Sequence, residues 1–195
     1  MSDRITALID RIQALEDELE TEFEQKHAAL NLRIEHGRAV FDKEVERQQA
    51  ALRTGLLKYV TGSRPLIVLT SPVIYGVVIP FVLLDLCVTL YQLICFPVYG
   101  IAKVRRKDHI VFDRHHLHYL NWLEKLNCAY CSYGNGLLSY ACEIASRTEQ
   151  YWCPIKHARR IANTHRHYRQ FAEYGDAEGY RNLVDALDKR LKNLR

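Results

Sequence analysis

Charged residues are almost absent from one long stretch of the chain. Residues 66–102 form a run of 37 residues that carries a single formal charge, at Asp85. A helix that crosses a bilayer needs about 20 apolar residues, so the run is too long for one upright helix and just long enough for two. Helices of a soluble core are usually amphipathic, whereas this run is apolar on all sides. A membrane is therefore favoured over a buried helical pair.

The flanks of this run predict its topology. The positive-inside rule places basic flanks in the cytoplasm, and no signal peptide is expected before the run because residues 1–58 are highly charged. We therefore predict a transmembrane or re-entrant helical hairpin over 66–102, in the inner (cytoplasmic) membrane with both termini cytoplasmic. The basic residues are Lys58 and Arg64 before the run, and Lys103, Arg105, Arg106 and Lys107 after it.

The hairpin would have its apex near Leu83 to Leu86, between helices over 66–83 and 86–102. Asp85 could then reach water or headgroups, whereas a charge at the centre of one spanning helix costs about 2.5 to 3.5 kcal/mol. The apex contains no glycine, asparagine or serine. A single tilted helix therefore remains the alternative.

Proline is absent from the first 57 residues, and the first glycine is Gly37. This absence predicts one long helix, with residues 1–61 as a coiled-coil unit. Pairs of apolar residues four apart recur every eleven residues, a period that winds gently right-handed. The seam is expected to bind a second copy of the chain or its C-terminal helix, and a solvated single helix is the alternative. The seam consists of Leu8, Ile12, Leu19, Phe23, Leu30, Ile34, Phe41, Val45, Leu52 and Leu56.

Strand-like alternation longer than a few residues is also absent, so the predicted fold is all-α. After the apolar run, residues 108–195 are expected to form a small cytoplasmic helical domain. Its helices are predicted over 114–127, capped by Asp113, then over 136–152, 155–174 and 177–194.

Disulfides are not expected in a reducing compartment, so the cysteines of the cytoplasmic part are candidates for metal binding or thiol chemistry. Cys128, Cys131, Cys153 and His157 have the spacing C-x2-C-x21-C-x3-H. Three thiolates and one imidazole suit tetrahedral Zn²⁺, with iron as the competing metal. The alternatives are cysteines packed in a core and a thiol redox site. Redox is less favoured because the expected helix precedes the CxxC motif, so its dipole would not lower the thiol pKa.

A histidine cluster is a second candidate site. Helical bundles hold di-iron sites through Glu-x-x-His pairs, and neither Glu143 nor Glu149 begins such a pair. Iron-dependent chemistry on a lipid-like substrate is nevertheless an alternative. The cluster would combine His115, His116 and His118 with Glu143, Glu149 and His157.

Acidic residues are absent between Glu149 and Glu173, within a C-terminal part where residues 103–195 carry 17 basic and 10 acidic side chains. A basic amphipathic helix beside a membrane is expected to lie on anionic headgroups. Nucleic acid is a less favoured partner because no known motif is present. The predicted membrane-surface residues are Lys156, Arg159, Arg160, Arg166 and Arg169.

These features together predict a membrane-anchored, oligomerising structural or adaptor protein with a zinc-binding cytoplasmic helical domain. A membrane-bound iron-dependent or thiol redox enzyme acting on a lipid-like substrate is the alternative, so the sequence leaves open whether the protein is an enzyme.

Overall fold

A computed structural model describes residues 3–29, 33–35 and 38–192 of the protein. Over these residues the chain is predominantly helical, as predicted. The exception is a small antiparallel sheet of two strands, in which Arg33 pairs with Val40. The elements are α1 (Asp3–Ala29), β1 (Arg33–Glu35), β2 (Arg38–Val40), α2 (Lys43–Ala51), α3 (Leu56–Thr61), α4 (Pro65–Gly76), α5 (Val78–Tyr99), α6 (Trp122–Trp152) and α7 (Ala177–Lys192).

The chain divides into two compact units. Unit 1 contains residues 1–62 and 113–126, and unit 2 contains residues 63–112 and 127–195. The long apolar run therefore folds together with most of the C-terminal part. The helix α6 begins in unit 1 and continues in unit 2.

In unit 1, the single helix predicted for the first 57 residues is wrong. α1 ends at Ala29, and the two strands, α2 and α3 follow as separate elements. The strand segment contains β-branched Ile34 and Val40 and the helix-weakening Gly37, a composition that favours strands over a continued helix. Of the predicted seam, Leu8, Ile12, Leu19 and Phe23 lie on α1, Leu30 lies outside the described residues, and Ile34 lies in β1.

The start of α6, also in unit 1, has a clear local cause. The side chain of Asn121 accepts a hydrogen bond from the Glu124 amide at 3.0 Å, and the Glu124 carboxylate accepts one from the Asn121 amide at 2.8 Å. This reciprocal pair is a capping box, which satisfies two amides at a helix start. The cap predicted at Asp113 is therefore wrong, because only a short 3₁₀ turn, Arg114–His116, follows Asp113.

In unit 2, α4 and α5 form one almost continuous helix from Pro65 to Tyr99. The only break is at Val77, which keeps right-handed helical dihedral angles of φ −64° and ψ −16°. The helix passes without interruption through Leu83 to Leu86, so the hairpin apex predicted there is wrong. The turn is unnecessary because Asp85 has polar partners inside the folded unit.

Residues 127–152 of α6 run parallel to this long helix. Residues early in one helix contact residues early in the other, and the same holds for late residues. Tyr75 bonds to Asn127 near one end, and Tyr99 stacks on Tyr151 near the other, with ring centroids 5.2 Å apart. The connection after Tyr99 must therefore return alongside the pair, and residues 100–112 do so. The buried core of this unit consists of Phe96, Val104, Ile110, Leu137, Tyr140 and Ile144.

Two glycines of α6 allow close packing against the return segment and against α5. A Cβ on Gly136 would lie 2.6 Å from the carbonyl oxygen of His109, and one on Gly134 would lie 2.8 Å from the ring of Phe81. The helix start predicted at Gly136 is wrong because α6 passes through this residue. The glycines serve packing rather than a turn.

The basic helix predicted over 155–174 is also wrong. After Trp152 the chain forms a loop that contains only the 3₁₀ turn Arg166–Gln170 before α7. The loop is closed at its base by two backbone hydrogen bonds, from the Lys156 amide to the Ala172 carbonyl at 2.8 Å and from the Ala172 amide to the Pro154 carbonyl at 2.9 Å. Asn163 has a positive φ of 54°, which is incompatible with a continuous right-handed helix here. The last helix begins at Ala177, as predicted.

Candidate membrane-binding face

The outer side of the Pro65–Tyr99 helix is apolar and open. Its most apolar 18-residue window has a mean hydropathy of 2.4, none of that window is buried, and no other described helix is as suited to crossing a membrane. The exposed apolar side chains of α5 recur every three or four residues, so they cover about half of its circumference. They include Ile79, Val82, Leu83, Leu86, Leu90, Leu93, Ile94 and Val98.

Hydroxyl groups on α4 do not interrupt this apolar surface. Thr70 donates to the carbonyl oxygen of Leu66 at 2.9 Å, and Ser71 donates to that of Val68 at 2.8 Å. Polar side chains in an apolar environment need such partners, because an unmade hydrogen bond there is costly. Both hydroxyls are therefore compatible with contact to lipid.

The inner side of α5 carries its polar residues, and each has a partner in unit 2. Gln92 is only 6% exposed; its side-chain oxygen accepts from the Val104 amide at 2.9 Å, and its amide group bonds to the hydroxyl of Tyr140. Thr89 lies one turn earlier and approaches the same Tyr140 hydroxyl at 3.4 Å. The helix is thus two-sided, with an apolar outer half and a satisfied polar inner half.

Asp85 is the only charge on the helix, and it is neutralised locally. Arg106 donates to both carboxylate oxygens, at 2.7 and 3.2 Å, and the Tyr133 hydroxyl donates at 3.0 Å. The carboxylate side chain is 15% exposed. The hydrogen bond to Asp85 holds the pKa of the Arg106 guanidinium above the ordinary value. The pKa of Tyr133 is also raised, mainly by burial and to a smaller extent by its hydrogen bond to Asp85.

The return segment restricts how the helix can contact a bilayer. Residues 100–112 pack on the inner side of α5, and Arg106 reaches the middle of the long helix at Asp85. Lys103, Arg105 and Lys107 are exposed on this segment. Charged side chains and irregular backbone do not enter the hydrocarbon layer. Only the outer half of the helix can therefore contact acyl chains in this fold.

Aromatic residues gather at the end of the long helix. Tyr99 contacts Tyr151 and Trp152, with ring centroids 5.2 and 5.5 Å away. The Trp152 side chain is 57% exposed. Large rings with one polar edge are typical of the membrane–water interface.

The predicted metal ligands are not brought together. Cys128 and Cys131 lie within α6, whereas Cys153 follows its last residue. At 1.5 Å per residue, the 22 residue steps from Cys131 to Cys153 span about 33 Å, so the four predicted ligands do not share a zinc or iron site. The expected fold-back fails because α6 is one unbroken helix. Within the described residues, no group of three or more His, Cys, Asp or Glu side chains is placed to hold a metal ion.

The thiols do not form a core cluster either. All six cysteines are free, and Cys131, Cys142 and Cys153 are exposed, whereas Cys128 is half-buried. The core-packing alternative therefore does not apply to the three exposed thiols. The CxxC motif lies inside α6 and not at the helix start, which is where reactive thiols are commonly placed.

The predicted cluster of histidines and glutamates does not form, because its two glutamates bind other side chains. Glu143 is bonded to Arg147 and Arg166, and Glu149 lies 2.8 Å from the ring of His165. Both carboxylates therefore already have protein partners, and the iron cluster predicted with His115, His116, His118 and His157 has no counterpart in the described geometry.

The predicted membrane-surface residues lie on the loop that follows α6. Lys156 pairs with Glu173 at 2.6 Å and Arg166 with Glu143, which leaves three exposed arginines of this loop without an ion pair among the described residues. These three are Arg159, Arg160 and Arg169.

Sequence reasoning missed the role of Gln92 on the inner side of α5 and the residues that cover this side. The covering residues are Arg106, Tyr133 and Tyr140. One signal was present, because Asp85, Thr89 and Gln92 are spaced four and three apart and therefore share one helix face. That spacing indicates a helix with a polar side.

Comparisons of the chain with protein-family models, with curated proteins and with solved structures found no match.

Proposed function

We propose that this protein is a membrane-bound structural or adaptor protein, held on one side of the bilayer by the apolar outer half of the Pro65–Tyr99 helix. The observation that carries the proposal is the two-sidedness of this helix. Its outer half is exposed and uncharged, while the polar residues on its inner half are bonded within the unit. Soluble proteins rarely leave so large an apolar patch in water.

The helix is proposed to lie in the plane of the membrane. Its 35 residues would extend about 52 Å, against a hydrocarbon core of about 30 Å. An in-plane position also keeps the charged return segment, residues 100–112, in water. Helices of this kind bury one face about 5 to 10 Å into the headgroup and acyl boundary.

Basic side chains would add contacts to anionic headgroups. The exposed cations Arg159, Arg160 and Arg169 carry no ion pair within the described residues. Each such cation near an anionic surface contributes about 1 kcal/mol. We therefore keep the cytoplasmic face of the membrane as the proposed location, with both termini cytoplasmic.

The adaptor role is proposed from α1. Its apolar residues Leu8, Ile12, Leu19 and Phe23 are all exposed, and a narrow stripe on an isolated helix needs a partner helix. Self-association through α1 would assemble several membrane-bound copies. Metal and thiol chemistry are left out of the proposal because the predicted ligands are separated.

The test is flotation of the full chain with neutral phosphatidylcholine vesicles. The wild-type protein should float, and a variant with Leu86→Glu, Leu90→Glu and Leu93→Glu should not, because each leucine that leaves an apolar environment costs about 1.5 to 3 kcal/mol. The matched control places three glutamates at Ala145, Thr164 and Gln170, which are exposed and lie outside the apolar face. If the leucine variant floats like the wild type while keeping its helical content, the proposal is wrong.

A further inference from the structure

A cavity of about 640 Å³ opens on the side of α6, away from the residues that contact α5. Three parts of unit 2 line it: residues 103–109 of the return segment, the α6 face from Ser139 to Arg147, and the pair His165 and Arg166. None of these residues belongs to the apolar face. The cavity therefore needs an explanation of its own.

A nearly buried carboxylate fixes two guanidinium groups at this cavity. Glu143 is 10% exposed and accepts hydrogen bonds from Nε of Arg147, at 2.8 Å, and from Arg166. Arg147 also donates from Nη1 to the carbonyl oxygen of Ala102 at 2.6 Å. A guanidinium has five N–H donors, so three donors of Arg147 remain after these two bonds. The two arginines are held in place and still have donors to offer.

The lining carries more positive than negative charge. Lys103 and Arg105 add two exposed cations, and neither side chain makes a hydrogen bond or ion pair among the described residues. Asp108 and Glu143 are the only carboxylates in the lining. Four cations therefore face two carboxylates, an excess that attracts an anion.

The pair of His109 and Ser139 adds a further hydrogen-bond donor to the cavity. Nδ1 of His109 lies 2.9 Å from Oγ of Ser139. If the hydroxyl donates to Nδ1, the ring carries its proton on Nε2; if Nδ1 donates, the hydroxyl proton is left over. In either tautomer one donor remains for a ligand.

We infer that this cavity binds a phosphate group, carried either by a free phosphate or by a phosphomonoester lipid headgroup. A phosphate has several acceptor oxygens that point in different directions, which matches donors arriving from three segments of the chain. Arginine forks are well suited to its geometry. This site is independent of the membrane proposal, because it requires no contact by the apolar face.

The test is calorimetric titration of the full chain, in neutral detergent, with inorganic phosphate at constant ionic strength. Lys103→Gln combined with Arg105→Gln should weaken binding by about tenfold or more, since two charge-assisted contacts are lost. The control, Lys43→Gln combined with Arg47→Gln, removes the same charge from exposed positions on α2, outside both the cavity and the proposed membrane surface, and should bind like the wild type. Equal losses in the two variants, or no phosphate binding by the wild type, would overturn the inference.

The source of the phosphate is distinguished with vesicles. Flotation with phosphatidylcholine vesicles that contain phosphatidic acid is compared for the cavity variant and its control. Selective weakening of the cavity variant supports a lipid headgroup, and unchanged flotation alongside weakened phosphate binding in detergent supports a free phosphate. Failure of the wild type to float with neutral vesicles, when phosphate still binds in detergent, counts against the membrane proposal alone.

Discussion

Asp85 shows how a single charge is tolerated in a long apolar helix. Its carboxylate faces the inner side of unit 2, where Arg106 forms a two-pronged ion pair and Tyr133 adds a third hydrogen bond. Charge-assisted bonds of this geometry are among the strong polar contacts in proteins. The helix therefore keeps its apolar outer half free of charge without a turn at Asp85.

Glu143 on α6 is, like Asp85, a largely buried carboxylate that is held by arginine side chains. Burial alone would raise its pKa, but the hydrogen bonds from Arg147 and Arg166 outweigh burial and hold the pKa below the ordinary value. Burial lowers the pKa of the neighbouring His167, whose Nε2 lies 3.6 Å from the Glu143 carboxylate. Glu143 therefore remains charged at neutral pH, whereas His167 is kept neutral.

The first prediction concerns the pH dependence of Glu143. A lowered pKa in the folded state gives stability that is present above the unfolded pKa, near 4.5, and lost as the pH falls through the folded value. Glu143→Gln should thus be less stable than the wild type at pH 7, and the difference should shrink as the pH falls below 4.5. Thermal unfolding followed by circular dichroism at a series of pH values measures this. A difference that is constant with pH would contradict the role assigned to the carboxylate.

The distant partners of Asp85 and Glu143 could not be predicted from the sequence. Arg106 lies 21 residues after Asp85, and Arg166 lies 23 residues after Glu143. Patterns within one helix reveal which residues share a face, but not which distant loop covers that face. The predicted metal site failed for this reason, since it joined residues across a helix that does not fold back.

At the scale of elements, α6 depends on a close approach that only glycine permits. The backbone of His109 and Ile110 would lie within 3 Å of a Cβ on Gly136. At Gly134 the near neighbour is the ring of Phe81, a side chain that can rotate. The two positions thus differ in what a methyl group would displace.

The second prediction compares alanine at these two glycines. Gly136→Ala should destabilise unit 2 by about 1 to 3 kcal/mol, because backbone must move to admit the methyl group. Gly134→Ala should cost less, since alanine improves helix propensity by about 1 kcal/mol and the Phe81 ring can move aside. Chemical denaturation of the two variants measures both effects. A Gly136→Ala protein as stable as the wild type would show that residues 100–112 do not pack on α6 as described.

The third prediction concerns α1, where the eleven-residue pattern holds for two of its five repeats. Replacing Ile12 and Leu19 with aspartate should dissociate an oligomer, because both side chains are exposed in the single chain and would be buried between copies. Light scattering of the full chain in detergent gives the mass. Aspartates at Ala14 and Thr21, which are exposed and off the seam, form the control. A monomeric wild-type protein would contradict self-association.

The pattern on α1 also shows the limit of periodicity. Apolar spacing predicted the helical face between Leu8 and Phe23, but it did not predict where the helix ends. The segment around Ile34 keeps the same spacing and forms a strand instead. Local composition, with Gly37 and β-branched residues, outweighed the longer pattern.

At the scale of the whole molecule, the sequence predicted a helical protein with a long apolar run, and the described residues have both. It did not predict that the run would be one helix with two different sides. That property arises from the return of residues 100–112 and the parallel packing of α6, which are contacts between distant parts of the chain. Composition indicates apolar surface, whereas only the fold indicates which half is covered.

The fourth prediction concerns topology. If the long helix lies in the membrane plane, tags at both termini should be accessible from the cytoplasmic side only, in intact and inverted membrane vesicles. Protease protection of each tag measures this. Tags on opposite sides would establish a spanning helix and would require the Asp85 and Arg106 pair to separate from its present packing.

The ion pair between Asp85 and Arg106 also has a consequence for biosynthesis. Asp85 leaves the ribosome 21 residues before Arg106 and 48 residues before Tyr133. At about 5 to 20 residues per second, the carboxylate waits roughly one to four seconds for its cation and longer for the tyrosine. During that interval the nascent chain presents a finished apolar segment with an uncompensated charge at its centre. If the proposed membrane binding holds, targeting factors would meet this species before unit 2 has folded, which would couple membrane delivery to folding in time.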